Sequence, residues 1–330
     1  MLKGIYLLDE AAYNKIYGEE QRKQIGQLVR IEAPLQTSQT ISTNLSVLQD
    51  VDIILSGWGC PKLTAEFLAH APRLKAIFYG AGSIRYFVTD AFWDRQIVVT
   101  TAYEANDIPV AEFTLAQILL SLKGYWQHVH WVKQTGGWWE HLPSAGVYGS
   151  TVGLISLGMI GRMVAEHLKR FDVHVLAYDP FASVDTARQY NVELCALEEV
   201  FIRSDVVSLH TPWLPETERM ITGKHFASMK KGASFINTAR GAIVREDEMA
   251  AVLQERPDLY ALLDVTYPEP PVPGSPLLQL PNVILSPHLA GADFAECKRN
   301  GQWMVDELKR YLNGKPLRFA VAREKAAIMA

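Results

Sequence analysis

The chain reads as an α/β protein made of two doubly wound parallel-sheet domains separated by a cleft. Three observations point there. Its 330 residues amount to about twice the ~150 typical of one domain. A composition of 48% hydrophobic and 21% charged residues supplies ample apolar material for packed cores. Short apolar runs alternate with helical segments along the chain, the pattern of parallel strands covered on both faces.

Each element follows from its own residues. The opening run, MLKGIYLLDE, is too short for a signal peptide or a membrane span, and is predicted as a first buried strand of a cytoplasmic protein. Residues 51–55 (VDIIL), 74–79 (LKAIFY) and 97–100 (IVVT) read as strands, with a helix over 63–70. Residues 109–123 (PVAEFTLAQILLSLK) form a long, largely apolar helix with proline at a tolerated early position. The middle repeats the rhythm more cleanly. A strand over 151–157 leads into a turn and helix over 158–171, and further strands lie at 174–178, 205–209, 233–237, 259–263 and 283–286. That is a six- or seven-stranded doubly wound sheet. Residues 292–312 read as a helix, and the tail 322–330 as a frayed helix or disordered end.

Charge and cysteine usage narrow the partners. The formal net charge is −4 and the isoelectric point about 6.2, without a basic stripe, which argues against nucleic acid and anionic membranes. Cys60, Cys195 and Cys297 are odd in number and far apart, so they read as small buried hydrophobes in a reducing compartment. Residues 125–148 carry Trp126, Trp131, Trp138 and Trp139, a density that predicts a homodimer contact over packing within one subunit. His128 and His130 in that segment lack a nearby third ligand. They read as solvated or interfacial histidines, and no metal site is expected.

Residues 151–162, TVGLISLGMIGR, run a strand into Gly158-x-x-Gly161 and a helix, the context of a Rossmann-like dinucleotide fingerprint. Gly158 allows the backbone close to a pyrophosphate, and Gly161 lets the helix pack tightly. The helix start (Met159, Ile160, Gly161) offers free N–H groups to phosphates. Arg162 reads as a pyrophosphate contact or a solvent-facing arginine. Ser156 stands where the fingerprint has its first glycine. Asp179, 18 residues past Gly161 and at the end of the next strand, is placed to accept both ribose hydroxyls. It would repel a 2′-phosphate by about 4 kcal/mol at 4 Å. The expected cofactor is therefore NAD.

Three later segments each place a polar residue beyond an apolar strand: INTARG with Arg240, LLDVTYPEP with Glu269, and LSPHLAG with His288. An arginine fork grips a carboxylate and polarises a neighbouring carbonyl. A histidine donates or accepts a proton near neutral pH, and a carboxylate behind it orients the ring. Arg240, His288 and Glu269 suit those roles in the reduction of a 2-keto acid.

The chain resembles the D-isomer-specific 2-hydroxyacid dehydrogenases, which include glyoxylate/hydroxypyruvate reductases and phosphoglycerate dehydrogenases. The resemblance rests on VGLISLGMIG, SDVVSLHTPWLPETERMI, INTARGAIV, LLDVTYPEP and SPHLAG, with KAIFYGAG and NDIPVAEFTLA before them. It implies Arg240, Glu269 and His288 as catalytic, Thr238 and Asp264 near the nicotinamide amide, and His210, Thr211, Pro212 and Thr217 lining the cofactor. It also implies a discontinuous substrate domain, 1–105 with 293–330, around an NAD-binding domain at 106–292. The backbone of Gly80, Ala81 and Gly82 would face the substrate carboxylate.

Three departures stand out. Ser156 replaces a glycine, Ile84-Arg85 replaces the usual Asp-Asn, and Arg245 stands where an acid is frequent. Arg85 reads as a surface arginine or as a contact to a distal anionic group, and Trp58 as a pocket wall or core packing. The extra regulatory domain of many phosphoglycerate dehydrogenases is expected to be lacking. The function so implied is reversible reduction of a small 2-keto acid to its D-2-hydroxy acid by NADH. A catalytically weak NADH-sensing, corepressor-like protein on this scaffold is the alternative. Glu269 disfavours formate dehydrogenase, which typically has glutamine there.

Overall fold

The computed structural model describes residues 1–138 and 141–329. They fall into two compact units, Met1–Asp107 with Ala292–Ala330, and Ile108–Gly291. Each is built on one parallel sheet.

The first unit carries β1 (Lys3–Leu7), β2 (Arg30–Ile31), β3 (Ile53–Ser56), β4 (Ala76–Tyr79) and β5 (Val98–Thr101). Their order is β2-β1-β3-β4-β5, all parallel. Strands β3 and β4 are buried throughout, as expected where helices cover both faces. One face packs Ile5, Leu7, Ile54, Ile77 and Phe87, and the other packs Tyr6, Leu55, Phe78 and Met304 from the helix Phe294–Leu312.

The second unit carries β6 (Ser150–Ile155), β7 (Val173–Tyr178), β8 (Glu193–Leu194), β9 (Val206–Leu209), β10 (Ser234–Asn237), β11 (Tyr260–Leu263) and β12 (Val283–Leu285). The order is β12-β11-β10-β9-β6-β7-β8. From β6 the chain builds outward to β8, then returns beside β6 and builds the other way. The gap between the ends of β6 and β9 is thus a topological switch point, where open α/β sheets bind ligands. Leu154, Ile236 and Leu262 face one core, and Val207, Phe235 and Leu263 the other. Truncating one of these side chains to alanine is expected to cost roughly 2–5 kcal/mol.

Several expectations are corrected. The long helix begins at Tyr103, not near Pro109, and ends at Leu122 with the proline inside it. A proline there loses one intrahelical hydrogen bond, which the apolar burial of the flanking turns outweighs. Of the tail, a helix runs Arg323–Ala327, and Ala326 and Met329 are buried in the first unit's core, while Ala330 lies outside the described residues. His128 is partly buried rather than fully solvated. Its Nδ1 lies 2.6 Å from Gly124 O, and its Nε2 accepts Leu142 N–H at 2.9 Å, so it clamps a loop. Cys195 is only partly buried, while Cys60 and Cys297 are buried, and all three thiols are free. Among the four tryptophans, Trp126 packs on the second core and Trp138 is 71% exposed. Trp139 lies outside the described residues. Among the described residues no helix is long and apolar enough to cross a membrane.

Candidate active site

At the end of β6 the chain turns through Ser156-Leu157-Gly158 into the helix Met159–Leu168. Gly158 caps this helix without a side-chain hydrogen bond, so the N–H groups of its first turn stay open to a ligand. Gly161 is required by contact: a Cβ there would lie 2.1 Å from Ser156 O. Ser156 adopts φ +84, so the residue that departs from the fingerprint sits where glycine is favoured. Arg162 is exposed on the same helix.

Asp179 follows β7 and ties this turn together. Its Oδ2 accepts Leu157 N–H at 2.7 Å and lies 3.4 Å from Ser156 Oγ, while Oδ1 accepts from Phe181 N (2.8 Å) and Ala182 N (3.0 Å). Across the switch point, His210 N–H donates to Ile155 O at 2.9 Å. The His210 ring is buried, with Nε2 3.0 Å from Ser208 Oγ and Nδ1 without a partner. Burial pushes its value down to about 4, so it is neutral at pH 7. Thr211 Oγ1 lies 3.3 Å from Ile155 O. Thr217 holds the following loop, donating to Pro212 O (2.6 Å) and accepting from Leu214 N (2.8 Å). Open helix N–H groups, a close glycine and an unsatisfied imidazole nitrogen at one switch point suit a dinucleotide.

The three residues that the sequence singles out, Arg240, Glu269 and His288, follow neighbouring strands. Arg240 follows β10, where Asn237 braces the turn: its Oδ1 accepts Ala239 N–H (2.9 Å) and its Nδ2 donates to Arg240 O (3.1 Å). Thr238, in the same turn, is buried with its hydroxyl 3.1 Å from that of Thr114. Glu269 follows β11 and His288 follows β12. His288 Nδ1 and Glu269 Oε1 lie 2.7 Å apart, both half-exposed. The contact leaves Nε2 as the ring nitrogen available to a substrate. His288 has φ +52, uncommon for a residue with a side chain.

Asp264 explains that conformation. It is 3% exposed, and its side chain accepts from Ser286 Oγ, Leu289 N and Ala290 N in the histidine loop. Sequence reasoning missed this bracing role, along with Asn237 and Ser286. For Asn237 the available signal was a short polar residue ending an apolar strand, since such side chains bond main chain two or three residues on. The main-chain partners of Asp264 lie 25 and 26 residues away and left no local signal.

In the first unit, Trp58 follows β3 and its carbonyl accepts Asp9 N–H at 2.9 Å. Ala81 and Gly82 follow β4, each with its carbonyl oxygen 2.6 Å from Thr101 Oγ1. The Arg85 guanidinium lies 3.5 Å from Met329 O in the C-terminal segment of this unit.

The chain as a whole has relatives among known proteins. The chain belongs to the D-isomer-specific 2-hydroxyacid dehydrogenase family, with residues 115–290 matching its NAD-binding domain. It is 31% identical over 287 residues to a D-3-phosphoglycerate dehydrogenase of Methanocaldococcus jannaschii, covering 86% of this chain and 54% of that protein. It is 32% identical over 274 residues to a glyoxylate reductase of Korarchaeum cryptofilum, covering 81% of this chain and 82% of that protein. The TT0316 protein of Thermus thermophilus superposes with a TM-score of 0.77 at 26% identity, over 97% of this chain and all of the other. The chain spans about half the length of the D-3-phosphoglycerate dehydrogenases it matches.

Proposed function

We propose that this protein reversibly reduces a small 2-keto acid to the D-2-hydroxy acid with NADH. The observation that carries the reading is the 2.7 Å contact between His288 Nδ1 and Glu269 Oε1, with Arg240 on the next strand but one. NADH, when bound, supplies the hydride. Glu269 holds the ring so that Nε2 presents a proton to the substrate oxygen, and in the oxidative direction takes it back. Arg240 grips the substrate carboxylate with a bidentate fork, fixing C2 in place. Gly158, Met159, Ile160, Gly161 and Arg162 take the pyrophosphate, Asp179 the ribose, and His210, Thr211, Pro212, Thr217, Thr238 and Asp264 line the remaining cofactor surface. On this reading Ile108–Gly291 is the NAD domain and the first unit the substrate domain, where Trp58, Ala81, Gly82 and Arg85 contact substrate.

A homodimer formed through residues 125–148 suits the exposed Trp138, Tyr125 and Tyr148. A reducing, cytoplasmic setting suits three free thiols. The glyoxylate reductase and phosphoglycerate dehydrogenase relatives direct the substrate screen. NADH oxidation is followed with glyoxylate, hydroxypyruvate, pyruvate, phenylpyruvate and longer keto acids, for the wild type and for His288→Ala. The variant should lose about 10²–10⁴ in turnover while still binding NADH. Full activity of the variant on the best keto acid refutes the assignment. NADH binding with no turnover on any of them favours a sensing role.

A further inference from the structure

We propose that Glu246 is a positioning residue for the acid–base pair, its carboxyl group holding the loop that presents Glu269 to His288. The proposal rests on the reading of that pair given above. Glu246 opens the helix Glu246–Glu255, and its Oε1 accepts the N–H of Tyr267, two residues before Glu269, at 3.0 Å. The two acids after it are engaged elsewhere: Asp247 faces Arg219 (3.4 Å) and Glu248 pairs with Arg245 (2.9 Å). Glu246 instead turns toward the loop.

The loop needs such a hold. The side chain of Glu269 is 41% exposed and Tyr267 is 58% exposed, its ring meeting Trp213 edge-on at 5.4 Å. Neither side chain is anchored in a core, so the carboxylate's position depends on the main chain that carries it. Besides the bond from Thr266 Oγ1 to Pro268 O within the loop (2.9 Å), two contacts from outside it hold that main chain. Gly241, next to Arg240, lies so close that a Cβ on it would be 2.1 Å from the Thr266 carbonyl carbon, and Glu246 takes the next N–H along. The same short segment, Arg240 to Glu246, therefore fixes the loop on which Glu269 sits.

The surroundings of Glu246 agree with an engaged group. Burial pushes its carboxyl up to about 7, against the lowering effect of the Tyr267 N–H and with a smaller raising contribution from Asp247. Both its charged and its neutral form accept an amide hydrogen bond, so the hold persists through neutral pH.

The test compares E246A, E246Q and E246L in the full chain, the last keeping side-chain bulk should the alanine variant be unstable. Steady-state kinetics are paired with ¹⁵N NMR of the His288 ring, which reports its tautomer without turnover. E246A and E246L should lose about 10–100-fold in kcat with the KM for NADH changed less than about threefold, since a small displacement of a catalytic group is enough. Their His288 ring signals should move toward those of E269Q. E246Q keeps an acceptor oxygen and should restore both readouts. Wild-type ring signals in E246A or E246L, or equal damage in E246Q, overturn the proposal. If H288A and E269Q keep full turnover, the acid–base reading fails, and the ring signals of the Glu246 variants still decide whether Glu246 orients the histidine.

Discussion

The main-chain oxygen of Asp264 accepts the N–H of His288 at 2.9 Å, while its side chain takes Ser286 Oγ (2.5 Å), Leu289 N (3.0 Å) and Ala290 N (2.9 Å). A buried carboxylate with three donors is well satisfied, and its bonds offset the positive φ of His288. One residue at the end of β11 thus builds the loop at the end of β12.

Asp264→Asn tests this relationship. An amide turns one acceptor into a donor facing a main-chain N–H, so a buried group is left unsatisfied. Stability should fall by about 1–3 kcal/mol in urea unfolding. Turnover should fall about 10²-fold as the imidazole shifts. Wild-type values of both would remove Asp264 from the account.

Ser156→Gly should stabilise the protein. A serine at φ +84 carries about 1–2 kcal/mol of backbone strain that glycine lacks, against the loss of one long contact to Asp179. The melting temperature should rise while the NADH dissociation constant changes little. Gly161→Ala should do the reverse, because its Cβ meets Ser156 O at 2.1 Å and the turn must move. A Gly161→Ala variant with unaltered NADH binding would contradict the cradle.

Asp179 sets the expected cofactor preference. Its carboxylate directly follows β7 and, if a ribose lies against it, would repel a 2′-phosphate by about 4 kcal/mol, or two orders of magnitude or more in affinity. Fluorescence titration should show NADH binding far more tightly than NADPH. Asp179→Ala should narrow the gap, although it also frees four donors of the turn. Equal affinities in the wild type would refute the role.

Two groups of the second unit should give opposite pH signatures. His210 has a value of about 4 folded against 6.5 unfolded, so the native state binds fewer protons between them. Its contribution is present above pH 6.5 and is lost as pH falls toward 4, about 2 kcal/mol by pH 5. Glu246 is raised to about 7 from 4.5, so the native state holds more protons there, and stability is lost as pH rises through 7. Relative to wild type, His210→Gln should gain stability as pH is lowered from 7.5 to 5. Glu246→Gln should gain as pH is raised from 5 to 8. Parallel melting curves across that range would show that neither environment is as drawn.

Much of the fold was legible because parallel strands buried on both faces appear as unbroken apolar runs. Residues 205–209 and 233–237 were placed within one residue of β9 and β10. The two-residue strands β2 and β8 were not, since two residues carry no period. The long helix was cut short at Pro109 because local propensity counts against proline, while the buried turns on either side outweigh it. The tail was read as frayed because sequence position says nothing about Ala326 and Met329 finding a core. At the candidate site, Arg240, Glu269 and His288 stood out as polar residues beyond apolar runs. The partners of Glu246 and Asp264 did not.

Local chemistry in the chain determined the α/β class, the glycine-bounded turn and the residue types for gripping an anion and moving a proton. Those features depend on neighbours a few residues apart. Tertiary structure decided which strand ends lie side by side, and with them the 2.7 Å approach of Glu269 to His288, the left-handed Ser156 and the pairing of Glu246 with Tyr267. Sheet register brings together residues far apart in sequence, and that proximity leaves no mark on the residues themselves.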